Sequence, residues 1–211
     1  MPVQVAIPLF PRFTALDAIG PYEVLQRVPD IDVIFIGDRC GEVRTDSGML
    51  GMTCDAPFDE VAHPDVIVVP GGIGTRVLLD DDRILDWLRN SHRHSRFTTS
   101  VCTGSLLLAA AGLLDGLTAT THWGAVELLE HLGAHYVEQR VVEHPPQRII
   151  TSAGVSSGID MALRLVELLT DTETAQAVQL MIEYDPHPPF DSGSLAKADE
   201  GVRERAGQLR R

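Results

Sequence analysis

A run of β-branched residues stops at a cysteine, and an apolar helical stretch begins on its far side. Phe97-Thr98-Thr99-Ser100-Val101 leads into Cys102, Thr103-Gly104-Ser105 follows, and Leu106-Leu107-Leu108-Ala109 continues. This order predicts strand, sharp turn and helix: a nucleophile elbow with cysteine as the nucleophile. The small residues after Cys102 leave room for a substrate beside the thiol. The unpaired N–H groups of a helix start favour thiolate, so a lowered Cys102 pKa is expected. The plainer alternative is a buried structural cysteine at a strand end.

The rest of the chain repeats the strand-then-helix rhythm. Strands are expected over residues 3–10, 31–37 and 65–70, the last apolar on both faces, as parallel strands are. A small hairpin is expected over residues 42–53, turning on Gly48 and Gly51. Helices are expected from Leu16 onward, over residues 80–95, 124–132 and 159–170, and from Asp171 or Thr172 to Ile182. Gly20-Pro21 is placed early in its helix, where proline is tolerated. A short strand is expected over residues 117–123, and two more over 136–142 and 148–151 around Pro145-Pro146. This alternation implies an α/β, flavodoxin-like architecture: a mostly parallel sheet with helices on both faces. Ligands bind such sheets outside the carboxyl ends of the strands. Gly71-Gly72, Cys102-Thr103 and the small-residue loop 152–158 all fall there.

Length and charge narrow the function. At 211 residues the chain reads as one domain over 1–190, followed by a polar C-terminal tail over 191–211. The net charge of −13 argues against nucleic acid and anionic membranes as partners. No basic leader precedes the first strand and no apolar run is long enough to span a bilayer, which points to a cytoplasmic protein. Cys40, Cys54 and Cys102 lie far apart and form neither a disulfide framework nor a metal motif. Gly71-Gly72-Ile73-Gly74 has no Walker lysine and completes no dinucleotide fingerprint. Asp17 carries two readings. Beside Leu16 and Ile19 it is either an acid facing a partly apolar pocket, with a raised pKa, or a solvent-exposed helix cap. The residues alone favour the cap.

The motifs together resemble the ThiJ/PfpI superfamily, and within it the branch that hydrates isonitriles. The resemblance rests on Leu16-Asp17-xx-Gly20-Pro21, Pro70-Gly71-Gly72, the stretch from Ser100 to Ser105, and Ala111-Gly112-Leu113-Leu114. It continues through Ala119-Thr120-Thr121-His122-Trp123, Gly158-Ile159-Asp160 and Glu183-Tyr184-xxx-Pro188-Pro189-Phe190. It implies Cys102 as nucleophile, Asp17 as its acid–base partner, and backbone N–H groups of Gly72 and Thr103 as the anion-stabilising pocket. It also implies a Thr103 hydroxyl near the thiolate, and Val155 in the pocket lining. His122 reads as a wall of the pocket beside Trp123, with a catalytic role as the lesser reading. Peptidases of the superfamily carry His after the cysteine, where this chain has Thr103.

The implied reaction needs no metal and no organic cofactor: an isonitrile becomes an N-substituted formamide through a thioimidate on Cys102. The implied assembly is a homodimer. Three alternatives remain: a small-molecule-binding or cysteine redox-sensing protein, a glyoxalase- or deglycase-like enzyme, and the ligand domain of a helix-turn-helix regulator. The last is disfavoured by the charge and by the short stretch after Phe190.

Overall fold

The computed structural model describes residues 2–209. In chain order its elements are β1 (Val3–Pro8), α1 (Ala15–Leu25), β2 (Ile31–Gly37), β3 (Gly41–Arg44), β4 (Gly51–Cys54), β5 (Ala56–Pro57) and β6 (Val66–Val69). Then come α2 (Asp82–His94), β7 (Phe97–Val101), α3 (Gly104–Ala110), β8 (Thr118–Ala119), α4 (Val126–His131), β9 (His135–Tyr136), β10 (Val141–His144) and β11 (Ile149–Ser152). The chain closes with α5 (Ser157–Leu169), α6 (Thr172–Met181) and α7 (Glu200–Gln208).

Seven strands form one sheet in the order β10-β11-β7-β6-β1-β2-β5, parallel except for the edge pair β10–β11. Every residue of Val66–Val69 is buried. Successive side chains of a strand point to opposite faces, so both faces of β6 are covered. Helices α1, α5 and α6 pack together, as do α2, α3 and α4. The chain passes from β1 outward to β2, then returns to place β6 on the other side of β1. Their carboxyl ends therefore diverge and open the crevice where such sheets bind ligands.

Two local expectations are corrected. Helix α1 begins at Ala15, so Pro21 lies in its second turn. Proline has no N–H, and the Asp17 carbonyl one turn earlier loses its helical donor. The strand expected over 117–123 shrinks to Thr118–Ala119. His122 instead caps a 3₁₀ turn, Trp123–Ala125, its Nδ1 accepting from the Gly124 N–H at 3.1 Å. In the polar C-terminal stretch, Asp199 caps α7 by accepting from the Val202 N–H at 2.9 Å.

Gly104 shows how closely the elbow seats on the sheet. A β-carbon there would lie 2.1 Å from the Val69 carbonyl oxygen, so only glycine lets α3 start at this height. Gly207 in α7 meets nothing within 4 Å. Gly104→Ala is expected to cost about 3 kcal/mol or more by overpacking, and Gly207→Ala to be neutral or mildly stabilising. Urea unfolding of the two variants checks the contrast.

Candidate active site

Four strand ends supply the site. The stretch after β1 enters α1 and brings Asp17; β6 runs into Gly71 and Gly72; β7 ends at Cys102; β11 leads to Val155. Cys102 has φ +56°, the left-handed conformation of a nucleophile elbow. A non-glycine residue held there stores about 1–3 kcal/mol of strain. Its peptide groups are fully engaged. The N–H donates to the Ser152 and Ala153 carbonyls at 3.1 and 2.9 Å. The carbonyl accepts from Ser105 Oγ and Thr121 Oγ1, both at 3.1 Å. The sequence signal for these two hydroxyls is their place beside the elbow and beside the His-Trp pair.

Asp17 has no solvent exposure and Cys102 has 5%. The helix cap is thus ruled out as the environment of Asp17. Its Oδ2 accepts from the Gly71 N–H at 2.9 Å. Its Oδ1 is buried with no conventional hydrogen-bond partner, on a carboxyl that interacts with the Cys102 thiol. Burial pushes the carboxyl from its ordinary 3.8 up to about 7, against the lowering effect of the Gly71 N–H and the thiol. Burial, then the neighbouring Asp17 charge, pushes the thiol up to about 12. The backbone N–H groups of Val155 and Thr103 pull it down. The expected lowered thiol pKa is therefore corrected: α3 presents its N–H groups, but the site is too dry and too close to a carboxylate for them to prevail.

Gly72 also differs from expectation. Its N–H donates to Thr103 Oγ1 at 2.9 Å and its carbonyl accepts from the same hydroxyl at 3.1 Å. That donor is spent inside the protein and does not face a substrate. A β-carbon on Gly71 would fall 2.5 Å from the Thr103 nitrogen and 2.9 Å from Asp17 Oδ2, so the absence of a side chain there is what lets acid, glycine turn and elbow meet. Val155, with φ +40°, is an outlier for a β-branched residue.

A cavity of about 510 Å³ is lined by Thr121, His122, Trp123, Tyr136, Val155 and Leu195, among others; it meets the site through Thr121 and Val155, and neither Asp17 nor Cys102 is in its lining. The His122 ring lies against Gly154, where a β-carbon would come within 2.8 Å of it, and stacks on Trp123 at 5.2 Å. Residues 193–196 of the polar tail help wall this cavity.

Residues 3–168 match the model of the DJ-1/PfpI family. The chain belongs to the DJ-1/PfpI family. Among DJ-1/PfpI relatives it is 44% identical to the isonitrile hydratase of Pseudomonas putida, over 98% of this chain and 89% of that protein. It superposes on a crystal structure of a ThiJ/PfpI family protein from Pseudomonas syringae with a TM-score of 0.93 and 35% identity, covering 99% of this chain and 86% of that one. It is also 29% identical to the HTH-type transcriptional regulator GbdR of Pseudomonas aeruginosa, over 64% of this chain but only 37% of the regulator. The DJ-1/PfpI fold thus matches the flavodoxin-like expectation.

The raised carboxyl pKa has a consequence for stability. Folded Asp17 holds its proton to about pH 7, while the unfolded carboxyl loses it near 3.8. Between these values the folded state binds more protons, so this group's contribution falls as pH rises from about 4 to about 7. Asp17→Asn is expected to melt higher than wild type at pH 8, by an amount of order 4 kcal/mol or less, and to converge with it near pH 4. Thermal melts at the two pH values check this.

Proposed function

We propose that this protein is an isonitrile hydratase, adding water to R–NC to give an N-substituted formamide. The observation that carries the reading is the buried pair of Asp17 carboxyl and Cys102 thiol; the likeness to the P. putida enzyme supports the substrate class. The pair titrates as a unit. Asp17 as carboxylate takes the thiol proton while the Val155 and Thr103 N–H groups hold the sulfur charge. The thiolate attacks the terminal isonitrile carbon, and Asp17 returns that proton to the carbon, giving the thioimidate R–N=CH–S. The carboxylate then draws a proton from water as its oxygen adds to the same carbon. One water proton ends on nitrogen and the other on the carboxyl–thiol pair. Cleavage of the C–S bond releases R–NH–CHO and restores the thiol. Thr103 positions the Gly71–Gly72 turn, and the cavity beyond Thr121 and Val155, with His122 among its walls, receives R.

The sensing alternative fits less well. A redox-sensing cysteine is accessible and of low pKa, whereas Cys102 is buried with its pKa raised. No helix among the described residues is long and apolar enough to cross a membrane. A single catalytic domain over 1–190, acting on a small molecule in the cytoplasm without nucleic acid, remains our reading. Exposed Leu16 and Met181, which border one surface pocket, support homodimer pairing there.

Incubation with an alkyl or aryl isonitrile is expected to give the formamide, identified by mass. Cys102→Ala abolishes it, and Cys40→Ala and Cys54→Ala retain it. Asp17→Asn is expected to fold and to lose ~10²–10⁴-fold in rate or more. Turnover of an α-ketoaldehyde with no formamide from isonitriles would favour the glyoxalase-like reading instead. The rate is also expected to rise with pH through about 7, where the pair loses its first proton, and then level off. A pH profile of kcat/KM checks that midpoint.

A further inference from the structure

Three residues outside the reacting pair converge on the loop that carries Val155. The Arg140 carbonyl accepts from the Ala153 N–H at 2.9 Å. Its guanidinium donates through Nη2 to Ser156 Oγ at 3.3 Å and through Nε to Asp160 Oδ2. The Tyr184 hydroxyl interacts with both Arg140 and Asp160. One residue therefore grips the loop on either side of Gly154-Val155. Asp160 anchors that grip to the first turn of α5, and Tyr184 anchors it to the exit of α6, where Gln179 Nε2 donates to the Tyr184 carbonyl at 3.1 Å. Between the two grips lies Val155 at φ +40°, whose N–H favours the ionised Cys102 sulfur.

We propose that Arg140, Asp160 and Tyr184 form a positioning clamp that holds Val155 in its left-handed conformation and thereby keeps its N–H on the nucleophile. This deepens the hydratase reading and rests on Cys102 being the nucleophile. A valine at this φ relaxes toward an ordinary conformation unless its flanks are fixed, and relaxation turns the N–H away from the sulfur. The clamp does not serve as a stability device. Arg140 and Asp160 side chains are 49% and 29% exposed, and ion pairs so placed contribute little to folding. Among the described residues, Asp17 is the charged group that acts on Cys102, and neither Arg140 nor Asp160 does, so the clamp works through geometry and not through its own charge.

The test measures iodoacetamide alkylation of the Cys102 peptide against pH, by mass, together with kcat, KM and thermal melting. The variants are Arg140→Met, Asp160→Asn and Tyr184→Phe. Glu143→Gln is the control, because the Arg164–Glu143 pair joins β10 to α5 at similar exposure but away from the loop. The clamp variants are expected to melt within a few degrees of wild type. Their alkylation profiles move to higher pH by about half a unit or more. Their kcat falls about tenfold with KM little changed, within the range that an ångström of misplacement costs. Glu143→Gln leaves profile and kcat in place. An unmoved profile in a folded Arg140→Met or Asp160→Asn overturns the proposal, as does an equal movement in Glu143→Gln. If both variants fail to fold, Tyr184→Phe decides: a shift in the same direction supports the clamp and no shift overturns it. Alkylation needs no isonitrile, so a wild-type protein without hydratase turnover would refute the reaction while leaving the clamp test readable.

Discussion

A carboxyl group taken wholly out of water, against a thiol, is the constraint on which the site depends. Asp17 receives one backbone N–H, from Gly71, and that is not enough to offset burial. Four parallel strands end on one edge, and each delivers a piece: the Asp17 carboxyl, the glycine turn, the Cys102 thiol and the Val155 loop. None of these pieces has its environment without the others. Gly71 lacks a side chain where Thr103 and Asp17 crowd it, and Gly104 lets α3 start against the Val69 carbonyl.

Among the described residues, five non-glycine residues have positive φ, and two of them, Cys102 and Val155, meet at the site. Cys102 stands in the left-handed region with both of its peptide groups satisfied, the N–H by β11 and the loop after it, the carbonyl by Ser105 and Thr121. Val155 stands there too, and its N–H is one of two that favour the thiolate. The thiol is thus held between opposing influences. Burial and the Asp17 charge keep its proton on, and the two N–H groups stabilise the sulfur once the proton leaves. A nucleophile of this kind is formed when the carboxylate takes the proton, not stored as an exposed thiolate. In the proposed mechanism, activation of the sulfur is tied to the same group that completes the addition.

Much of the fold was legible in the sequence because the central strands are β-branched runs and the elbow has a distinctive order of residues. The hairpin β3–β4 and the elbow fall where the sequence places them. Boundaries failed where tertiary contacts outweigh local pattern. Leu117 to Trp123 alternates like a strand, yet Thr120 and Thr121 turn inward, the Thr120 N–H donating to Thr151 and the Thr121 hydroxyl to the Cys102 carbonyl, and His122 becomes a cap. Asp17 looked like a cap because its neighbours in the chain are ordinary; its burial comes from β6 and β7, which no local window contains. The same reason explains the thiol. A helix start beside a cysteine argues for a low pKa, and only the assembled site shows that a second ionisable group lies against it. Gly72 lies beside the elbow, and its donor is committed to Thr103, a pairing that no local window of sequence contains.

The central claim is that burial beside Cys102 holds the Asp17 carboxyl protonated to near neutrality. The most direct measurement is a pH titration of aspartate carboxyl carbons by ¹³C NMR, with Asp17 assigned by its loss in Asp17→Asn. The account predicts one carboxyl with a midpoint near 7, and a still higher midpoint in Cys102→Ala, where burial persists and the thiol's hydrogen bond is gone. A midpoint near the ordinary carboxylate value of about 4 in the wild-type protein would contradict it.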